Sequence, residues 1–197
     1  IYVALEYLSE NEGRIFLTLK GFNAGFASYM ITIGWLGYAL GCPLLGFLSD
    51  HIQRRKPILV GSALLSVISM LLILFSDTRY GLIVGFLMLG VAASGQSVGF
   101  ATIAEQFKTQ FIGIGLALNN AMITAFAAIN APLIGLVIDH SKRGGNVGIS
   151  HYYSAFSILI VLSILSLILS YFFIKETFCK STVDFKVLTS NKRSTSC

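Results

Sequence analysis

Gly46-Phe-Leu-Ser-Asp50-His-Ile-Gln-Arg54-Arg55-Lys56-Pro57 joins two long apolar runs and puts an acid and three fixed cations into one short link. A helix ending at Ser49 leaves its last carbonyls without partners. Arg54, Arg55 and Lys56 are placed to neutralise that helix end. Three cations do not enter hydrocarbon, so they hold the link on one side of a bilayer, the cytoplasmic side by the positive-inside rule. Asp50 lies one turn before Arg54. The spacing predicts a pair between them that latches the loop in one conformation and releases it in another. The bland alternative is a positive-inside anchor with no further role.

Composition agrees with a bilayer. The 197 residues are 55% hydrophobic and only 12% charged, about half the charge of a soluble domain; the mean hydropathy is +0.78. The net charge of +5 comes mostly from loops and tail. No basic residues interleave with aromatics along a face, which argues against a nucleic-acid partner. Cys42, Cys179 and Cys197 are odd in number and scattered, so neither a disulfide framework nor a zinc site is expected. His140 and His151 lack a third ligand and make a poor metal site. No cofactor is expected.

Outward from the link, five uncharged runs at about 27–49, 57–75, 80–104, 111–138 and 152–174 read as membrane spans. Residues 1–18 are apolar but broken by Glu6, Glu10, Glu12 and Arg14, and fit the end of a truncated membrane helix. The start at Ile1 suggests a fragment. Glu6 and Glu10 share a helical face. They are either interfacial charges or groups facing a central cavity that bind substrate or a proton. Gly34, Gly37 and Gly41 form a small-residue stripe in the first full span. Trp35 lines a cavity or faces lipid and neighbours. The span at 57–75 reads as lipid-facing scaffold. Gln96, near the middle of the third span, must find a partner at that depth, in a neighbouring helix or in a substrate. Asn119, Asn120 and Asn130 fall in the fourth span, and the first and last of them share a face suited to an aqueous or substrate-lined surface. Residues 178–197 read as a polar tail. Lys and Arg number nine on the side of the link and tail, and four on the other. That places both link and tail in the cytoplasm and makes the first segment a sixth helix.

The link resembles the signature loop of the major facilitator superfamily, Gly-x-Leu-[Ala/Ser]-Asp-[Arg/Lys]-x-Gly-[Arg/Lys]-[Arg/Lys]. Gly46, Leu48, Ser49, Asp50, Arg54 and Arg55 match; His51 replaces a basic residue and Gln53 replaces the second glycine. The resemblance implies an all-α polytopic bundle, one six-helix half of the family's fold. Three features point to the second half: the degenerate loop, the ending Ile174-Lys-Glu-Thr177, and the lack of a membrane arginine in the third span. The run Ala27 to Pro57 is similar to a bacterial metabolite-transporter branch that overlaps a lysosomal dipeptide-transporter branch. By that resemblance the chain moves a small polar metabolite (amino acid, dipeptide or organic acid) by alternating access, with proton coupling and a bacterial inner-membrane location. Its expected partners are a small-molecule substrate, the lipid bilayer and the missing N-terminal half. Gly46, Asp50, Arg54 and Arg55 would form a cytoplasmic gating motif. The spans at 27–49, 80–104 and 111–138, with the first segment, would border the cavity. No nucleophile or metal cluster suggests an enzyme. The alternatives are a non-transporting scaffold or receptor of the same fold, or an inactive truncated remnant.

Overall fold

A computed structural model describes residues 1–142 and 148–179, without the side chains of Glu10, Asn11, Asp139, Ser141 and Lys142. The turn at Lys142–Gly145 beyond its first residue, and the tail beyond Cys179, lie outside the described residues. All described elements are helical. Helices α1 (Tyr2–Tyr7) and α2 (Gly13–Leu19) are joined by a π-helical turn at Leu8–Glu12. Then come α3 (Ala24–Ile52), α4 (Lys56–Phe75), α5 (Arg79–Ala93), α6 (Gly95–Gln106), α7 (Ile112–Lys142) and α8 (Ile149–Phe172). Five segments are long and apolar enough to cross a membrane: α3, α4, α5 with α6, the stretch Thr109–Ile138, and α8.

Local chemistry sets the ends. Residues 19–26 read as a turn, yet α3 starts inside that stretch because the Asn23 side chain accepts the Phe26 N–H at 2.7 Å. Pro57 sits in the first turn of α4, where its missing N–H is harmless. Thr78 caps α5 through the Gly81 N–H at 3.2 Å. The third span is not one helix: it breaks at Ser94, whose hydroxyl donates to the Val91 carbonyl at 2.7 Å.

Packing follows the small residues. Helix α3 lies chiefly on α5, and α4 lies on both α5 and α8. A Cβ added at Gly37 would sit 2.5 Å from the Leu87 carbonyl oxygen, and one at Gly90 would run into the Gly34 carbonyl. These glycines let the two backbones touch. The span at 57–75 is not simply lipid-facing. Ser62, Ser66 and Ser69 are buried on one side of α4, and Ser66 meets Ser163 of α8 at 3.2 Å. Leu64, Ile68, Leu71 and Phe75 point outward. A core of Leu5, Phe16, Met30, Met70, Phe86 and Phe156 closes the centre.

Replacing Gly37 by Ala forces α3 from α5, and we expect a loss of about 1–3 kcal/mol. Thermal unfolding in detergent checks this against Gly61→Ala, where an added Cβ meets open space.

Candidate functional site

The α3–α4 loop ties three distant segments together. Gln53 ends α3 in the left-handed region at φ 56. Its N–H donates to the Asp50 carbonyl at 3.3 Å, and the Arg54 N–H donates to the Ser49 carbonyl at 3.2 Å. These are the paired bonds of a Schellman ending, which favours glycine at the left-handed residue. The step turns Arg54 outward, where it is exposed, and Arg55 inward. The expected Asp50–Arg54 pair is therefore corrected: Arg55 Nη1 lies 2.7 Å from Asp50 Oδ1. Spacing along an unbroken helix pointed to Arg54, but the chain leaves the helix at Gln53.

Arg55 is only 8% exposed. Nη1 also donates to Ser49 Oγ at 3.0 Å, while Nε and Nη2 donate to Glu105 Oε1 at 3.1 and 2.7 Å. Glu105, in the last turn of α6, also accepts the Thr177 hydroxyl. The Glu176 carboxylate accepts the Arg55 N–H at 2.7 Å and the Lys56 N–H at 3.2 Å, so it caps the positive end of α4 from beyond α8. Lys56 Nζ lies 5.6 Å from the Tyr171 ring centre. Burial would lower the Arg55 pKa, but the hydrogen bond and charge of Glu105 and the hydrogen bond of Asp50 outweigh it and raise it. Burial raises the Cys179 thiol, with Arg55 opposing. A Cβ at Gly46 would meet nothing within 4 Å, so within this bundle that glycine is not required for clearance.

The interior candidates fall in different places. Glu6 lines a cavity of about 240 Å³ between α1 and α7, with Val3, Tyr7, Thr124, Ala127, Ala128 and Ala131. Glu10 lies in the π turn, and its side chain is outside the described ones. Trp35 packs edge-on against Tyr2 and Tyr38, with ring centres 6.3 and 5.8 Å away. Gln96 Oε1 is buried and accepts no hydrogen bond. Asn130 is buried and donates to the Phe126 carbonyl at 2.9 Å, within its own helix. It lines a separate apolar cavity of about 680 Å³ beside α8. Asn119 is half-buried and Asn120 is exposed, so the asparagines do not gather into one site.

Glu12 and Lys20 add polar contacts that the sequence reading does not contain. Glu12 Oε2 accepts the Tyr152 hydroxyl at 2.9 Å. At the opposite end of the bundle from the α3–α4 loop, Lys20 Nζ donates to the Ile73, Leu74 and Ser76 carbonyls at 3.3, 2.6 and 2.9 Å and pairs with Asp77 at 3.5 Å. It closes the end of α4. Burial lowers the Lys20 pKa, with Asp77 opposing. A carboxylate in an apolar helix was the available signal for Glu12; Lys20 read only as a turn residue.

The loop, its partners and the helical bundle set the frame for comparison with known proteins. A family model described as Major Facilitator Superfamily matches residues 2–186. The chain belongs to the Major Facilitator Superfamily. No curated protein and no solved structure matches it. As a member of this superfamily it is an integral, multi-pass membrane transport protein with an all-helical bundle. The loop that resembles the family's signature is the segment that Arg55 anchors here.

Arg55→Gln leaves Glu105 and Asp50 without their cation, and we expect a loss of about 3 kcal/mol. Arg54→Gln, at an exposed position, should change stability by less than about 0.5 kcal/mol. Gln53→Gly relieves the left-handed strain and should gain about 1 kcal/mol. Thermal and denaturant unfolding of the three variants in one detergent compares them directly.

Proposed function

We propose that this chain is the second six-helix half of a transporter that moves a small polar metabolite by alternating access, coupled to protons. The metabolite classes are amino acids, dipeptides and organic acids. The observation that carries the reading is the buried Arg55 cluster. It joins the α3–α4 loop to the end of α6 through a charge pair, and to the segment after α8 through a backbone N–H donated to Glu176. Such a tie holds one arrangement of helix ends and can be exchanged for another, as a two-state gate requires.

The distribution of polar groups supports the same reading. Glu6, Gln96 and Asn119 lie on α1, α6 and α7, whereas the side-chain hydrogen bond between α4 and α8 joins two serines. The family's substrate sites lie near the bilayer midplane, between two repeats. Leu36, Leu40, Leu44 and Phe47 of α3, and Leu118, Met122, Phe126 and Ile129 of α7, are exposed. A second six-helix half and lipid would cover these faces. The open space beside Gly46 fits a loop that meets the other half in one state of the cycle. In this reading Asp50, Arg54 and Arg55 form the gate at the cytoplasmic side, and the membrane is the bacterial inner membrane.

The test is uptake by the complete natural chain in liposomes, with labelled amino acids, dipeptides and organic acids, with and without a proton gradient. A gradient-driven accumulation of one class is expected. Asp50 is 65% exposed, so its pair is worth about 1 kcal/mol or less. Asp50→Asn should therefore lower transport by up to roughly five-fold, by shifting the balance of states, while expression stays normal. Transport unchanged by Asp50→Asn would remove the gating role.

A further inference from the structure

The apolar cavity of about 680 Å³ beside α8 and a second cavity of about 710 Å³ meet at Phe173 and Ile174, which line both. Both volumes lie in the range of whole-ligand pockets. The first is a groove between α7 and α8. Leu162, Leu165, Leu169 and Phe173 line it on one side, and Met122 and Phe126 of α7 on the other. Leu165, Leu169, Met122 and Phe126 are exposed, so the groove opens sideways to lipid. From Leu162 to Phe172, the last residue of α8, the wall runs about 15 Å. One leaflet of a hydrocarbon core about 30 Å thick has that depth.

The groove is closed to polar ligands at its deep end and open to them near the helix end. Asn130, at depth, already donates to the Phe126 carbonyl of its own helix. Ser154 and Ser157 of α8 likewise donate to carbonyls of α8, at 3.3 and 2.6 Å, and Ser163 meets Ser66. Ser170, in the last turn of α8, is different. It is 8% exposed and lines the groove, yet its hydroxyl makes no hydrogen bond among the described residues. A polar atom so far withdrawn from water calls for a partner. The second cavity lies beyond, between α4, α6 and the segment after α8. Thr102 and Thr177 give their hydroxyl hydrogens to the Val98 carbonyl and to Glu105. Glu176 accepts the N–H groups of Arg55, Lys56 and Thr177, so its charge is already met. Gln106 and Lys175 are exposed at the rim, and Lys175 forms no ion pair among the described residues. The open charge of this cavity is therefore a cation.

We infer that the two cavities form one binding site for an anionic phospholipid from the leaflet on the side of the α3–α4 loop. One acyl chain lies in the α7–α8 groove, and its ester carbonyl accepts the Ser170 hydroxyl. The phosphate head lies in the second cavity on Lys175, with Gln106 as a neutral donor. A cation at a helix end near the membrane surface attracts such a head. A zwitterionic head brings an ammonium for which the cavity has no open carboxylate, and a bare fatty-acid carboxylate leaves most of the second cavity unfilled. Glu176 and Thr177 line the head cavity and also hold the Arg55 cluster, so an occupied site steadies that cluster. The site does not depend on what the chain carries, and its loss would leave the transport reading standing.

The experiment uses the complete natural chain in detergent and three probes: dioleoylphosphatidylglycerol, dioleoylphosphatidylcholine and glycerol phosphate. Bound molecules are counted by native mass spectrometry, and melting temperatures are read alongside. Phosphatidylglycerol should be retained over phosphatidylcholine by about fivefold, the effect of one interfacial cation, and should raise the melting temperature. Glycerol phosphate, with no chain for the groove, should not bind. Lys175→Gln should bring the two lipids level. Lys108→Gln, at an exposed cation that lines neither cavity, should keep the preference. Ser170→Phe should release the phosphatidylglycerol by filling the groove, and Leu169→Trp, at the exposed mouth, repeats the test if Ser170→Phe does not fold. A phosphatidylglycerol with a photoactivatable acyl chain should label α7 and α8. Equal retention of the two lipids, Lys175→Gln without effect, or binding of glycerol phosphate alone overturns the site. Labelling that misses α7 and α8, as when another part of the complete chain fills the groove, overturns it too.

Discussion

A guanidinium withdrawn from water must be matched on every side, and Arg55 finds its matches on segments far apart in sequence. Ser49 and Asp50 come from the end of α3, Glu105 from the end of α6, and Glu176 binds the Arg55 backbone from beyond α8. Removing one partner leaves an uncompensated charge, which is far more costly than the pair is favourable. The cluster thus acts less as a source of net stability than as a constraint on arrangement. Helix ends can move only together, or by exchanging one partner for another. Thr177 extends the constraint, since it binds the same carboxylate that holds the guanidinium.

The middle of the bundle is governed by close approach. Gly34 and Gly37 of α3 meet Leu87 and Gly90 of α5 through backbone atoms, and Gly95 lies against Ser62 of α4. Apolar side chains in lipid gain little by meeting one another, so contact area and small polar links do the joining. The Ser66–Ser163 contact serves this purpose between α4 and α8.

Hydropathy made the spans legible because a run of apolar residues has one physical reading at that length. Fold class followed from it, and the loop pattern identified the family. Other features were not legible, for particular reasons. The break at Ser94 depends on a hydroxyl reaching a carbonyl three residues back, a choice that the same sequence could decline elsewhere. Helical spacing carried through Gln53 points Asp50 to Arg54, but Gln53 is left-handed and breaks that spacing. Glu105 and Glu176 lie 50 and 121 residues from Arg55, and periodicity carries no information at such range. Asn119 and Asn130 do share a turn of phase, but Asn130 turns back to its own helix.

The segment Tyr2–Leu19 shows how these constraints meet in one helix. Its π turn places an extra residue between α1 and α2. Gly13 closes that turn, where a Cβ would run into the Leu8 carbonyl. Below the turn, as the chain runs, α2 is fixed twice: Glu12 takes the Tyr152 hydroxyl from α8, and Lys20 seals the end of α4. Before the turn, α1 packs on α5 and α7 and carries Glu6 to the cavity. The base of that position is the anchored α2, and the room beside it comes from the alanines of α7. A π turn left in a membrane helix is unfavourable unless its neighbours hold it. Here the ties on α2 do so, and the placement of Glu6 follows from that anchorage rather than from the periodicity of α1.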